Sequence, residues 1–342
     1  MPLVQPTSPP DSPLFVNMPE LDQRLVVVEP KTGQVKQTLF PDAWSAEMGQ
    51  VLDFAVSRKG LMFVLLTNRR AVDDPRLYVV DLRDGALKQA LALSPWPQNL
   101  TWDCQGRLWV GHSTQASGPA GLLSVVDVER LAVKHRVSLE GSAVAVVPMG
   151  TRRGLVVERA VWEDRDDDVV VASSLAEVDL EAGKVTRRRR LPPGAAQAAV
   201  GPSGHLYIGH ASGPGTLATD GTVSVVSRRS LRTLRRLRLG MIVRRMVATR
   251  VHLVLNMLSG TGDVWIAVMT ADDSTLFDFR TPALVAPDLS LVGDMIYIPL
   301  KRGQVFQRVS LKRQGRPHLK LKGAGDSARL GLVRTWMECD GD

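Results

Sequence analysis

Leu77-Tyr78-Val79-Val80-Asp81-Leu82-Arg83-Asp84-Gly85 is the stretch on which the fold turns. Four β-forming residues end in an aspartate, and a polar turn with a glycine follows, the pattern of a strand running into a hairpin. Leu123-Ser124-Val125-Val126-Asp127 and Val223-Ser224-Val225-Val226-Ser227 repeat it. The residue that closes the run is Glu29, Asp81, Asp127, Asp179 or Ser227 in successive units, a spacing of about 50 residues. Propellers built from four-stranded blades have this period.

Working outward, each such strand C follows an earlier hairpin. Gly60-Leu61-Met62-Phe63-Val64, Gly106-Arg107-Leu108-Trp109-Val110 and Gly204-His205-Leu206-Tyr207-Ile208 each set a glycine turn before a β-rich strand B. A turn beyond strand C leads into strand D, as in Leu87 to Leu93 and Leu131 to Leu139. Two weaker units follow, carried by Val264-Trp265-Ile266-Ala267-Val268 and Met295-Ile296-Tyr297-Ile298. The expected architecture is all-β: a seven-bladed β-propeller of four-stranded antiparallel blades spanning 14–342, after a flexible segment 1–13. The blades fall at about 14–40 with 330–342, then 50–93, 97–139, 142–191, 195–239, 240–281 and 283–322. The first unit lacks a strand A, and Leu332-Val333-Arg334-Thr335-Trp336-Met337 resembles Leu52 to Val56. The C-terminal strand is therefore expected to join the N-terminal blade and close the ring, which removes open sheet edges.

The strand C signature resembles the YVTN-type repeats of seven-bladed lactonase-like and quinoprotein-like propellers, a fold-level resemblance over nearly the whole chain. WD40 repeats match less well, because Trp102-Asp103 ends a strand A and the two Gly-His pairs close strand B. The resemblance implies the architecture and leaves a hydrolase, a cofactor enzyme and a binding scaffold all open.

Composition narrows the classes. No apolar run reaches the roughly 18 residues needed to span a bilayer, and Met1 to Pro13 lacks the basic and apolar regions of a secretory signal, so a cytoplasmic location is expected. Cys104 and Cys339 are the only cysteines, without metal or redox spacing. They fall in A-to-B turns two blades apart and are not expected to pair. The formal charge of +8 is unevenly spread. Arg187 to Arg250 holds thirteen arginines, no lysine and one acid, Asp220, so this stretch carries +12 and the remainder of the chain −4.

Repeat alignment assigns candidate ligand-binding residues to one channel mouth. His112 and His210 share a position, taken by Arg159 in blade 4 and by Met18, Leu66, Met257 and Leu300 elsewhere. Gly111 and Gly209 precede the histidines, leaving room for a ligand, and Glu158 replaces them in blade 4. Imidazole and carboxylate suit a divalent metal or acid–base work, whereas repeat inheritance would make each histidine a bonded strand end. No metal or other cofactor is expected in this chain. A second ring aligns Asp53, Asn99, Gln197, Arg244 and Arg334, with Ser142 nearby, and its arginines could clamp carboxylate or phosphate. The acidic run Glu163 to Asp168 lacks the ligand spacing of a calcium loop and reads as solvated.

The basic stretch points to a partner. Arg187, Arg188, Arg189 and Arg190 fall in strand D of blade 4; Arg228, Arg229, Arg232, Arg236 and Arg238 fall in the C-to-D turn and strand D of blade 5. Period-two alternation places Arg232, Arg236 and Arg238 on one face, opposite Leu231, Leu237 and Leu239. The expected partner is an acidic protein surface, with nucleic acid or anionic lipid ranked behind it for want of interleaved aromatics and a recognised module. No nucleophile elbow, phosphate loop or zinc motif is present. A non-enzymatic scaffold binding an anionic partner through blades 4–6 is the expected role. A lactonase-like hydrolase or cofactor-dependent oxidoreductase using Asp53, Asn99, His112, Glu158 and His210 is the rival.

Overall fold

The computed structural model describes residues 12–18, 24–39, 50–57, 59–67, 74–103, 105–114, 121–163, 169–201, 203–210, 221–249, 251–270, 272, 275–281, 288–299, 305–311, 318–320 and 333–334. Residues 1–11, Cys104, Cys339, Leu300 and most of the acidic run lie outside them. Blade 1 holds β1 (Leu14–Met18), β2 (Arg24–Val28) and β3 (Val35–Leu39); blade 2 holds β4 (Gln50–Val56), β5 (Leu61–Thr67), β6 (Arg76–Asp81) and β7 (Leu87–Ala92). Blade 3 follows with β8 (Pro97–Trp102), β9 (Arg107–His112), β10 (Leu122–Asp127) and β11 (Ala132–Ser138). Blade 4 has β12 (Ser142–Met149), β13 (Arg153–Glu163), β14 (Val169–Asp179) and β15 (Lys184–Leu191). Blade 5 has β16 (Ala195–Val200), β17 (Leu206–His210), β18 (Thr222–Val226) and β19 (Thr233–Arg238); blade 6 has β20 (Ile242–Ala248), β21 (Leu253–Leu258), β22 (Val264–Met269) and β23 (Thr275–Arg280). Blade 7 has β24 (Ser290–Val292), β25 (Met295–Pro299), β26 (Val305–Ser310) and β27 (His318–Lys320), and β28 (Val333–Arg334) comes last.

Among the described residues these strands make seven four-stranded antiparallel sheets, the blades of a β-propeller. The short β28 lies beside β1, with Val333 opposite Val16 and Arg334 opposite Phe15. Residues 93–280 form one compact unit, and 5–92 with 281–342 form another. No helix among the described residues is long and apolar enough to cross a membrane.

Within each unit the core lies in seams between successive sheets. Trp109, Leu123 and Val125 of blade 3 pack on Val146, Val156 and Val178 of blade 4. Leu155 and Val157 of blade 4 pack on Leu206 and Ile208 of blade 5. Tyr207, Val223 and Val225 of blade 5 pack on Val243, Met246 and Leu255 of blade 6. Consecutive residues of a middle strand thus serve opposite seams, which is why strands B and C read as continuous apolar runs.

The repeat marker has a local cause. Asp127 Oδ1 accepts the amides of Glu129 and Arg130 at 3.0 and 3.1 Å, and Asp179 Oδ1 those of Glu181 and Ala182 at 3.0 Å each. Asp81 accepts the Arg83 amide, and the Arg83 guanidinium beside it holds its carboxyl well below the usual carboxylate range. In the same place Ser227 Oγ accepts the Ser230 amide. A short acceptor side chain at the end of strand C folds the C-to-D turn.

Two irregularities recur. In blades 2 to 6 strand A carries one unpaired extra residue: Leu52, Gln98, Val144, Ala196 and Arg244. Strand D carries another, and in blade 5 it is Leu234, which leaves that side chain 54% exposed. The expected single arginine face of blade 5 is broken there. Arg236 and Arg238 stand opposite Ser224 and Thr222, while Arg232 precedes the strand on the far side of the bulge.

Removing the turn acceptor by Asp127→Ala is expected to destabilise the protein by about 1–3 kcal/mol, the range for hydrogen bonds to a charged acceptor. Asp127→Asn should cost less, since an amide oxygen still accepts; urea unfolding of the two variants checks the order.

Candidate functional site

The strand A bulge resets the alignment on which the candidate residues rest. Pro97, Ala143 and Ala195 stand opposite His112, Glu158 and His210 immediately before the bulge, so Glu158 and not Arg159 is the blade 4 counterpart of the histidines. Val157 then corresponds to Gly111 and Gly209. In the second set Asp53, Asn99, Gln197 and Arg245 all follow the bulge, whereas Arg244 is itself the bulge residue. Arg334, opposite Phe15, lies two residues past the position of Asp53. These shifts arise because an unpaired residue lengthens one strand without changing the side-chain pattern of its partner.

His112 is 1% exposed and His210 3% exposed, and both are wired alike. His112 Nδ1 lies 2.9 Å from the Pro95 carbonyl and Nε2 2.9 Å from Ser124 Oγ. His210 Nδ1 lies 3.3 Å from the Pro193 carbonyl and Nε2 2.9 Å from Ser224 Oγ. A carbonyl only accepts, so Nδ1 carries the proton and donates, and Nε2 accepts from the serine hydroxyl. Burial is the main cause that pushes both imidazoles below their ordinary pKa; backbone carbonyls oppose it in part, while Arg136 and Arg236 add to it.

Blade 4 solves the same position differently. Glu158, 2% exposed, accepts the Glu140 amide at 3.0 Å, the Ser174 hydroxyl at 2.7 Å, and Arg188 Nε and Nη2 at 2.8 and 3.1 Å. Arg188 stands opposite Ala176, in the register that Arg136 and Arg236 hold opposite Ser124 and Ser224. The serine that serves each histidine is thus an alanine here. Without a hydroxyl at that place, the arginine reaches the carboxylate of its own blade.

The glycines make room for the neighbouring blade. A Cβ on Gly111 would sit 2.7 Å from the Ala143 carbonyl oxygen and from Asn99 Oδ1, and one on Gly209 would sit 2.8 Å from Val243 Cβ. Asn99 Nδ2 donates to the Ala143 carbonyl at 2.6 Å, joined by Gln98 Nε2 at 2.7 Å. Asp53 is buried and accepts the Phe54 amide at 2.9 Å. Arg159, Gln197 and Arg244 are each half-buried, and their side chains make no hydrogen bond among the described residues. Among the described residues no group of three or more His, Cys, Asp and Glu side chains is placed to hold a metal ion.

The basic stretch separates by sheet edge. Several of its strand D and turn arginines are engaged: Arg187 pairs with Glu177 and donates to the Arg229 carbonyl, Arg188 pairs with Glu158 and Glu140, Arg228 donates to the Gly204 carbonyl, and Arg235 is engaged as well. Arg189, Arg190, Arg229, Arg232, Arg236 and Arg238 are exposed, and their guanidinium groups make no hydrogen bond or ion pair with described residues. In blade 6, Arg244 and Arg245 lie on the opposite edge of the sheet, and strand D offers Arg280 paired with Asp263. The exposed basic surface therefore belongs to blades 4 and 5, not to blades 4–6; the repeat period places strand A, and with it Arg244, away from strand D.

In sequence, no family model and no curated protein matches the chain. In structure it is similar to the β-propeller domain of Cps50 (Swd1) from Myceliophteria thermophila, with 15% identity and a TM-score of 0.57 over 83% of this chain and 89% of that one. It is similar to the WD40 domain of Pan2 from Neurospora crassa, at 9% identity and a TM-score of 0.60, covering 83% and 82%. A functionally unknown protein from Desulfotomaculum acetoxidans aligns at 10% identity and a TM-score of 0.62, over 95% of this chain and 99% of its own. Likeness at these identities extends to the fold.

Two outcomes test the wiring. The depressed histidines are neutral when folded and take up a proton on unfolding, so stability falls as pH drops below about 6.5, the unfolded value, through the folded pKa. The double variant His112→Gln, His210→Gln should flatten that slope in denaturant titrations across mildly acidic pH. Arg188→Met leaves the Glu158 carboxylate buried without its cation, at a cost of about 3 kcal/mol. Writing the blade 3 pattern into that background, with Glu158→His and Ala176→Ser, should recover much of the loss in thermal unfolding.

Proposed function

We propose that this chain is a non-enzymatic interaction scaffold that docks a partner with an acidic protein surface on the outer strands of blades 4 and 5. The observation that carries this reading is the set of exposed arginines with no hydrogen bond or ion pair among the described residues: Arg189, Arg190, Arg232, Arg236 and Arg238, with Arg229 beside them. Charged side chains on an outer strand protect an edge against pairing, and lysines at the strand D bulge, Lys36, Lys88 and Lys134, do this in blades 1 to 3. One such charge per edge suffices. Like charges gathered within a Debye length, about 8–10 Å, repel one another and raise the free energy of the unbound state. An acidic surface relieves that repulsion, and guanidinium forks meet carboxylates in pairs.

A propeller is a common platform for protein interactions. The histidines and Glu158, whose polar atoms have partners inside the protein, add weight to a scaffold over an enzyme built on His112, Glu158 and His210.

The test is binding of polyglutamate and of duplex DNA to wild type and to a variant with Arg189, Arg190, Arg232, Arg236 and Arg238 changed to Ser, each at low and moderate salt. At a few tenths of a kcal/mol per exposed pair, the five changes should weaken polyglutamate binding about tenfold or more. Equal affinities for wild type and variant would remove the wall as an interface. Tighter binding of DNA than of polyglutamate would reassign the partner to phosphate backbone.

A further inference from the structure

Strand D of blade 5 differs from its counterparts at the bulge. Lys36, Lys88 and Lys134 fill that place in blades 1 to 3, and Lys36 and Lys88 each pair at 3.0 Å with the acid that ends strand C, Glu29 or Asp81. In blade 5 Ser227 stands in place of the acid and Leu234, 54% exposed, in place of the lysine. Both members of the pair are gone, and with them the charge that blocks an open edge. β19 is the last strand of its sheet, so the outward backbone groups of 235–238 have no neighbouring strand among the described residues.

Side chains alternate along this edge. Residues paired across strands share a face. Arg236 stands opposite Ser224 and Ser224 opposite Ile208, which packs on blade 4, so Arg236 faces blade 4; Arg238, opposite Thr222, does the same. On blade 4, Arg189 stands opposite Leu175, which packs on blade 5, and Arg187 on that face reaches the Arg229 carbonyl at 2.9 Å. Leu175 and Val223 hold the same place in the repeat, so Arg189 corresponds to Leu237, between Arg236 and Arg238. The three arginines thus line the groove between the outer strands of blades 4 and 5 from its two walls. Leu237 faces the other way, toward blade 6, and packs against the cluster of Tyr207 and Val225. Blade 6 turns Asp278 to that side, opposite Ala267 of the same cluster.

We propose, resting on the docking reading above, that the outer edge of β19 receives an extended segment of the partner as a fifth strand of blade 5, with acidic residues opposite Arg236 and Arg238 and an apolar residue between them. Alternate residues of an added strand share a face, so two carboxylates meet the arginines of the groove. The residue between them lies beside Leu237, on the side where a second carboxylate would meet Asp278. Backbone hydrogen bonds along 235–238 hold the segment, and the alternation selects it. A nucleic acid brings no amide backbone to such an edge.

Fluorescence anisotropy of the full chain with two labelled, end-capped peptides of one composition tests this: Glu-Val-Glu-Val-Glu-Val-Glu and Glu-Glu-Val-Val-Val-Glu-Glu. The alternating peptide should bind about tenfold tighter, the sum of a few matched cross-strand pairs, and its binding should slow amide hydrogen exchange within 235–238. Arg236→Ser with Arg238→Ser should remove the preference, and Arg189→Ser should weaken the alternating peptide severalfold. Ser227→Asp with Leu234→Lys, which writes the blade 2 pair into blade 5 at unchanged net charge, should also weaken it severalfold. Arg190→Ser should keep the preference, because Arg190 stands opposite Ser174, on the other face of blade 4. Equal affinities for the two peptides, both lost in the five-arginine variant, would overturn strand addition and leave the docking reading intact. Unchanged exchange within 235–238 when the alternating peptide is bound, or a preference that survives in the Arg236 and Arg238 double variant, would overturn strand addition as well. Binding of neither peptide to wild type would overturn both readings.

Discussion

Within residues 93–280 the sheets of blades 4 and 5 give up both of their faces to neighbouring sheets, and most other features follow from that burial. Within residues 93–280, Leu206 and Ile208 look into one seam and Tyr207 into the next. A strand with two buried faces has no solvent side to carry polar residues, so most charge is gathered in turns, at strand ends and on the outer strand D. The outer strand is the one place where a row of arginines costs little, and the exposed ones of blades 4 and 5 stand there.

Polar groups that remain inside have to be satisfied, and repetition shows how. At one position, blades 3 and 5 bury a histidine held by a carbonyl and a serine, while blade 4 buries a glutamate held by a serine hydroxyl, a backbone amide and an arginine. Ser124 and Ser224 give way to Ala176 where the arginine crosses. The substitution at one strand is matched by another on the adjoining strand, because an unpaired buried carboxylate or imidazole would cost more than either change alone. The same accounting divides the arginines. Arg187, Arg188 and Arg228 are spent on partners within the protein, and Arg189, Arg190, Arg229, Arg232, Arg236 and Arg238, which have no such partner among the described residues, are left for solvent or for another molecule.

Much of the architecture was legible in the chain. The aspartate that ends strand C is visible because its side chain makes the turn, and Gly60, Gly106 and Gly204 are visible because each turn needs a positive φ, between 70° and 77°. The candidate site was legible only in outline. His112 and His210 stood out as a repeated pair, but the serines and carbonyls that hold them come from other strands and carry no motif. Ser124 and Ser224 sat within the quoted strand C runs, and their recurrence opposite the histidines' strand was the one signal that would have pointed to them.

The sequence by itself determined the repeat, the strand order within a blade and the concentration of arginine in one stretch, because period-two patterning, turn chemistry and charge are properties of neighbouring residues. Tertiary structure alone decided which residues are equivalent and which arginines are engaged. The strand A bulge moves Glu158 into the place of the histidines and sets Arg244 one residue out of line with Gln197. A bulge is a property of pairing between two strands, so no single strand records it. Whether a guanidinium meets a carboxylate depends on what the adjoining strand and blade bring to it, and that is settled only when the sheets pack.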